Sequence, residues 1–146
     1  MQKVISFIFS LLFAVSTQAQ DAEKAAFMAV NPNAAELKFE HEEFNFGSIK
    51  QGDVVTHEFS FTNTGKEPLI ITNAHGSCGC TVPEFPKNPI KRGEKAVIKV
   101  TFNSAGKMSV QDKTVTIESN AKTAVKVLHL KGVVTELPTE KTAKPN

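Results

Sequence analysis

Tryptophan and tyrosine are absent from the 146 residues, and cysteine occurs only twice, as Cys78 and Cys80. Those absences exclude the antibody type of β-sandwich, whose core carries a tryptophan and whose two cysteines lie on different strands. Phenylalanine, with 11 copies, supplies the aromatic bulk instead. Charge of one sign is also lacking: the formal net charge is +2, and loss of Lys3 with a cleaved leader would leave +1. Such a balance gives no reason to expect nucleic acid or an anionic membrane as a partner. After Gln20 no apolar run reaches the roughly 20 residues that a membrane-spanning helix needs, so no transmembrane anchor is expected. Missing too are a glycine-rich phosphate loop, an elbow-type serine and a two-histidine zinc helix. Nucleotide-binding and hydrolase functions therefore have no residues to stand on, and no catalytic residue is expected.

What is present begins with a targeting layout. Lys3 gives a positive start, Val4 to Val15 is apolar apart from small serines, and Thr17-Gln18-Ala19 offers small residues for cleavage. Residues 1–19 read as a signal peptide cut near Ala19, with no cysteine close enough for lipoprotein processing. The mature chain is expected in the periplasm or outside the cell, where thiols tend to oxidise. Residues 20–35, with Pro32 between two asparagines, read as a flexible N-terminal segment. Residues 135–146 read as a disordered tail with too little apolar content to pack.

Residues 36–134 remain, the size of one sandwich domain. Their hydrophobic period is two. Val55, His57, Phe59 and Phe61 alternate with Thr56, Glu58, Ser60 and Thr62, and the run ends at the turn signal Asn63-Thr64-Gly65. Leu69 to Thr72 is a short apolar strand. Ala96, Ile98, Val100 and Phe102 alternate with Val97, Lys99 and Thr101, and Val115 and Ile117 with Thr114, Thr116 and Glu118. Val125 to Val134 forms a last strand, while Leu37 to Phe39 and Phe44 to Phe46 read as a split first strand bent before Gly47. Apolar residues nowhere recur at helical spacing over a useful length. The pattern predicts an all-β fold: a single immunoglobulin-like antiparallel β-sandwich of about seven strands.

Reactive side chains concentrate in His75-Gly76-Ser77-Cys78-Gly79-Cys80-Thr81. This segment opens a stretch to Glu94 that has no clear period and is stiffened by Pro83, Pro86 and Pro89, with Phe85 and Ile90 expected on the core. Three readings of the cysteines stay open. Residues two apart on an extended strand are near the upper Cα limit for a disulfide, so a Cys78–Cys80 bridge needs a bend, which Gly79 permits. A structural or simply paired turn is the first reading; so small a ring makes that role less efficient and a thiol-exchange role possible, but no Lys or Arg lies within the motif to acidify a thiol, and His75 is the nearby candidate. Alternatively, two thiolates and His75 form a soft metal set for copper, or for zinc with a fourth ligand from His41, His57 or His129. Against that fourth ligand, His57 reads as a hydrogen-bonded boundary residue and His129 as strand surface. Glu40, Glu42 and Glu43 read as a solvated turn rather than a paired-carboxylate site.

Several motifs recur in a fixed order: Phe44-x-Phe46-Gly47-x-Ile49-x-x-Gly52, then Phe59-x-Phe61-x-Asn63-Thr64-Gly65-x-x-Pro68-Leu69-x-Ile71, then Ser77-Cys78-Gly79-Cys80-Thr81 and Leu128-x-Leu130-x-Gly132. Together they resemble an uncharacterised bacterial family, a domain of unknown function common in secreted proteins and related to hydin-like, major-sperm-protein-like and PapD-like immunoglobulin folds. The chain departs from it at Lys91-Arg92-Gly93-Glu94, where the family usually shows Pro-Gly, but it keeps the turn glycine. The resemblance implies that the Cys-Gly-Cys turn is a family feature. It also implies a non-enzymatic module of the cell envelope that docks another envelope or secreted protein along sheet edges or loops. The competing expectation is a copper- or zinc-binding or thiol-redox protein using Cys78, Cys80 and His75.

Overall fold

The computed structural model describes residues 31–136; the signal-peptide reading, most of the N-terminal segment and most of the tail fall outside them. No helix occurs among the described residues, and none is therefore long and apolar enough to cross a membrane. The strands are β1 (Leu37–Phe39), β2 (Glu43–Lys50), β3 (Val54–Asn63), β4 (Ile71–Gly76), β5 (Thr81–Glu84), β6 (Lys95–Asn103), β7 (Ser109–Ser119) and β8 (Val125–Thr135). They form two four-stranded sheets, ordered β1-β3-β6-β5 and β2-β8-β7-β4. The all-β sandwich read from the period-two strands is the observed fold.

Alternation explains how the sheets face each other. Phe59 stands opposite Ile98 across β3 and β6, and Val115 opposite Leu128 across β7 and β8. All four are essentially buried, along with Phe61, Val100, Phe102, Ile117 and Leu130. Each such side chain stabilises the fold by roughly 1.5–3 kcal/mol through apolar burial. Ile90 is buried and Phe85 packs on the core beneath Lys87, so the proline-rich stretch is indeed folded down.

Four details differ from the sequence reading. Eight strands are present rather than about seven, because Thr81–Glu84 forms β5 within the stretch read as a loop. The sandwich is not wholly antiparallel, since β2 pairs with β8 in parallel. Alternation reports which face a residue takes but not which way a neighbour runs. Third, β4 starts later than Leu69 and continues to Gly76, which puts His75 on a strand. Finally, order begins before residue 36: Ala35 is in the core, and Asn33 O accepts bonds from the N–H groups of Lys66 and Glu67.

The Asn63-Thr64-Gly65 motif has a structural explanation. The Asn63 side chain is buried and makes four hydrogen bonds: Oδ1 accepts from Glu36 N at 3.2 Å and Gly65 N at 3.0 Å, and Nδ2 donates to Glu67 O at 2.8 Å and Ile90 O at 3.0 Å. Its backbone adds bonds to Glu94 O and from Gly93 N. A side chain on Gly65 would collide with the backbone of Ala34 to Glu36, so only glycine lets the N-terminal segment cross there. One buried amide thus joins four chain segments at one end of the sandwich, with both of its polar atoms fully used.

Candidate functional site

Cys78 and Cys80 follow β4 at the crossover from one sheet to the other. The two sulfurs are joined as a disulfide, with the Cα atoms 5.2 Å apart. The turn is tied to both sheets by backbone bonds. Ser77 N donates to Thr114 O on β7 at 2.8 Å, and Asn103 N, at the end of β6, donates to Cys80 O at 2.9 Å. Thr114 N donates to Ser77 Oγ, and Thr81 N donates to Cys78 O, closing the turn. Thr81 is buried, and its hydroxyl lies 3.7 Å from the Cys78 sulfur and 3.8 Å from the Cys80 sulfur. Both cysteines are half-buried, and Cys80 also packs on the core.

The glycines of the turn have unequal reasons to be there. A side chain on Gly76 would strike Thr81, so glycine is needed where the strand passes beneath the turn. Gly79 has no left-handed backbone and, apart from its neighbours Cys78 and Cys80, no atom within 4 Å of where a Cβ would stand. The bend between the cysteines therefore does not draw on glycine's conformational freedom, contrary to the sequence reading.

The structure does not bring His75 together with the two sulfurs. His75 pairs with Thr116, between the pairs Ala74–Ile117 and Gly76–Val115. Because opposite residues share a face and Val115 and Ile117 point into the core, His75 points outward. Among the described residues no three His, Cys, Asp or Glu side chains converge to hold a metal ion. With its sulfurs bonded to each other, the Cys78, Cys80 and His75 set as placed does not fit copper or zinc, which thiolates would hold.

The other histidines are each engaged. His57 lies flat on Phe44, with ring centroids 3.7 Å apart, and edge-on to Phe59 at 4.7 Å, so aromatic contacts rather than a hydrogen bond hold it at the sheet boundary. Burial pushes its pKa below the ordinary histidine value, with nearby Glu58 opposing and His41 assisting. On the outer face of β8, His129 Nδ1 pairs with Asp112 Oδ1 at 2.9 Å. An oriented His–Asp pair supplies two of the three members of a hydrolytic triad, but no hydroxyl or thiol among the described residues bonds to that ring. The three glutamates near the first bend are also apart: Glu40 pairs with Lys95, Glu42 with Lys126 and Glu43 with Lys131. The Glu43 carboxylate accepts a bond from Lys131 and raises its pKa. None of these lysine partners was legible in the sequence, because each lies 55 or more residues away.

A second surface feature lies along β2. Of the four edge strands, β1 has three residues, β5 has four and contains Pro83, and β4 has six with an irregularity after Ile71. The β2 edge has eight, with a bulge between Asn45 and Gly47 where Gly47 N donates to Asn45 Oδ1. Across β2, β8 and β7 runs a shallow depression of about 440 Å³ lined by Gly47, Gly132, Val133 and Val110. Val110 is 79% exposed. Gly132 is required there, since a side chain would run into the Phe46 ring.

Two four-stranded sheets packed face to face define an immunoglobulin-like sandwich. Among solved structures it is similar to a protein of unknown function from Porphyromonas gingivalis W83, with a TM-score of 0.62 and 13% identity over 73% of this chain and 50% of that one. It is likewise similar to the ASH/PapD-like domain 7 of human CEP192, with a TM-score of 0.55 and 8% identity over 92% of this chain and 99% of that one. A third similarity is to the secreted serine protease VesC from Vibrio cholerae, with a TM-score of 0.53 and 16% identity over 68% of this chain but only 23% of the protease. At these identities the likeness is one of fold. The chain spans half of the first of these structures and less than a quarter of the third. No curated protein matches it. Residues 37–134 match the family model described as Protein of unknown function (DUF1573), and the chain belongs to that family.

Proposed function

We propose that this domain is a non-enzymatic interaction module of the bacterial cell envelope that binds a partner protein or peptide by extending the β2–β8–β7–β4 sheet at β2. The open eight-residue edge of β2 carries this reading. An added strand gains affinity from main-chain hydrogen bonds and specificity from pockets beside the edge. The depression across β2, β8 and β7, with the exposed Val110 in its lining, gives a long side chain reaching inward from such a strand an apolar surface. Short length and Pro83 protect the β1 and β5 edges from the same use. Export by the leader near Ala19 would put the partner among envelope or secreted proteins.

The test is site-specific photocrosslinking in the producing cells. A photoreactive residue at Asn45 or Ser48 on β2 should give one discrete adduct, and the same residue at Val82 or Glu84 on β5 should give none. Equal adducts from β2 and β5, or adducts from β5 alone, would contradict docking at β2.

A further inference from the structure

We propose that the Cys78–Gly79–Cys80 turn is a thiol–disulfide exchange site, open to a thiol from solvent and distinct from the β2 edge.

Three observations carry this. The bridge spans a sequence separation of only two residues. A loop that short removes little disorder from the unfolded chain, so the bond stabilises far less than one closing a long loop. The crossover is in any case held without it, by the hydrogen bonds of Ser77, Cys80 and Thr81 to β7, β6 and each other. Second, both cysteines are half-buried rather than enclosed, the Gly79 between them is exposed, and apart from these two neighbours no atom lies within 4 Å of where a Gly79 Cβ would stand. An exposed glycine that the rest of the fold does not cover leaves the turn open on its outer side. Third, the buried Thr81 hydroxyl stands near both sulfurs. A donor there stabilises whichever sulfur leaves as a thiolate.

The environment also distinguishes the two sulfurs. Cys80 packs on the core, whereas Cys78 is not part of that packing, which makes Cys78 the sulfur to be attacked. An incoming thiolate forms a bond to the Cys78 sulfur; the Cys78–Cys80 bond breaks, and its electron pair leaves on the Cys80 sulfur. Thr81 hydrogen-bonds that thiolate until it takes a proton from water. If the incoming group is a dithiol, its second thiolate attacks its own mixed disulfide and releases Cys78. The turn has then gained two electrons and two protons, and the dithiol has become a disulfide. Small monothiols and protein dithiols share the first step and differ in the second.

The experiment follows the opening of the bridge in the full, folded chain by trapping free thiols, with glutathione as the monothiol and dithiothreitol as the dithiol. Dithiothreitol should open it fully without loss of the β-sheet circular dichroism signal, and glutathione should stop at a mixed disulfide on Cys78. Thr81→Val should slow opening about tenfold, the size expected for losing a hydrogen bond to a charged group. Gly79→Leu should keep the wild-type unfolding midpoint and slow the larger glutathione several-fold more than dithiothreitol. The proposal is overturned if reduction requires global unfolding, with its rate tracking denaturant, or if glutathione is found on Cys80 instead. Equal rates for Gly79→Leu and wild type would overturn approach over the glycine.

Discussion

The Asn63 end of the sandwich and the Cys-Gly-Cys crossover are both dense in motif residues, yet they are built in opposite ways. At Asn63 every polar atom of the amide is used internally, and the adjoining Gly65 is forced by the backbone crossing it. At the crossover the two cysteines are only half-buried, and Gly79 is required by neither backbone conformation nor packing against the rest of the fold. Density of unusual residues therefore does not separate structure from function. What separates them is whether the surrounding fold uses up what those residues offer.

The largest expected effect comes from Asn63→Ala, which strands the buried Gly65 N–H and removes the side-chain bonds to Glu36 N, Glu67 O and Ile90 O, of which Ile90 O keeps its bond from Leu69 N. Unmet buried groups of this kind cost about 1–3 kcal/mol each, and denaturant melts should show a loss of roughly 3–5 kcal/mol. A change below 1 kcal/mol would erase the contrast. Gly132→Ala comes next, at about 1–3 kcal/mol, because its methyl group overpacks the Phe46 ring that anchors β2. The same variant should weaken any β2 adduct, which Asn63→Ala would do only by unfolding the domain.

A smaller effect tests the seam between the two sheets, where His57 on β3 stacks on Phe44 of β2. Its folded pKa is lowered, so the unfolded chain binds the proton more readily. Stability from this site is therefore full above the unfolded value of about 6.5 and falls as pH drops through that value toward the lower folded one. Melting points between pH 7.5 and pH 5 should show a modest decline that His57→Phe flattens. A decline of unchanged slope in that variant would assign the dependence elsewhere. The smallest effect is at Gly79→Ala, expected within about 0.5 kcal/mol of wild type by denaturant melts. A loss above 1 kcal/mol would make Gly79 a structural glycine like Gly65.

Much of the fold was legible because its cause is local. Alternation in Phe59 to Phe61, Ile98 to Phe102 and Leu128 to Leu130 directly records which face meets the core. The parallel pairing of β2 with β8 was not legible, since it depends on partners more than 80 residues apart. His75 shows the same limit at the site. Its spacing from the cysteines resembles a ligand set, but strand pairing to Thr116 decides its direction. Nearness in sequence located the reactive turn; only the register revealed which neighbours share it.

The most direct measurement compares two unfolding curves: the wild-type chain with the Cys78–Cys80 bridge reduced, and oxidised Asn63→Ala. The account predicts that the reduced wild type unfolds cooperatively with a loss under about 2 kcal/mol, as a loop this short implies, while Asn63→Ala loses more. Collapse of the reduced chain beside a near-normal Asn63→Ala would contradict it, and would make the Cys-Gly-Cys turn the structural staple instead.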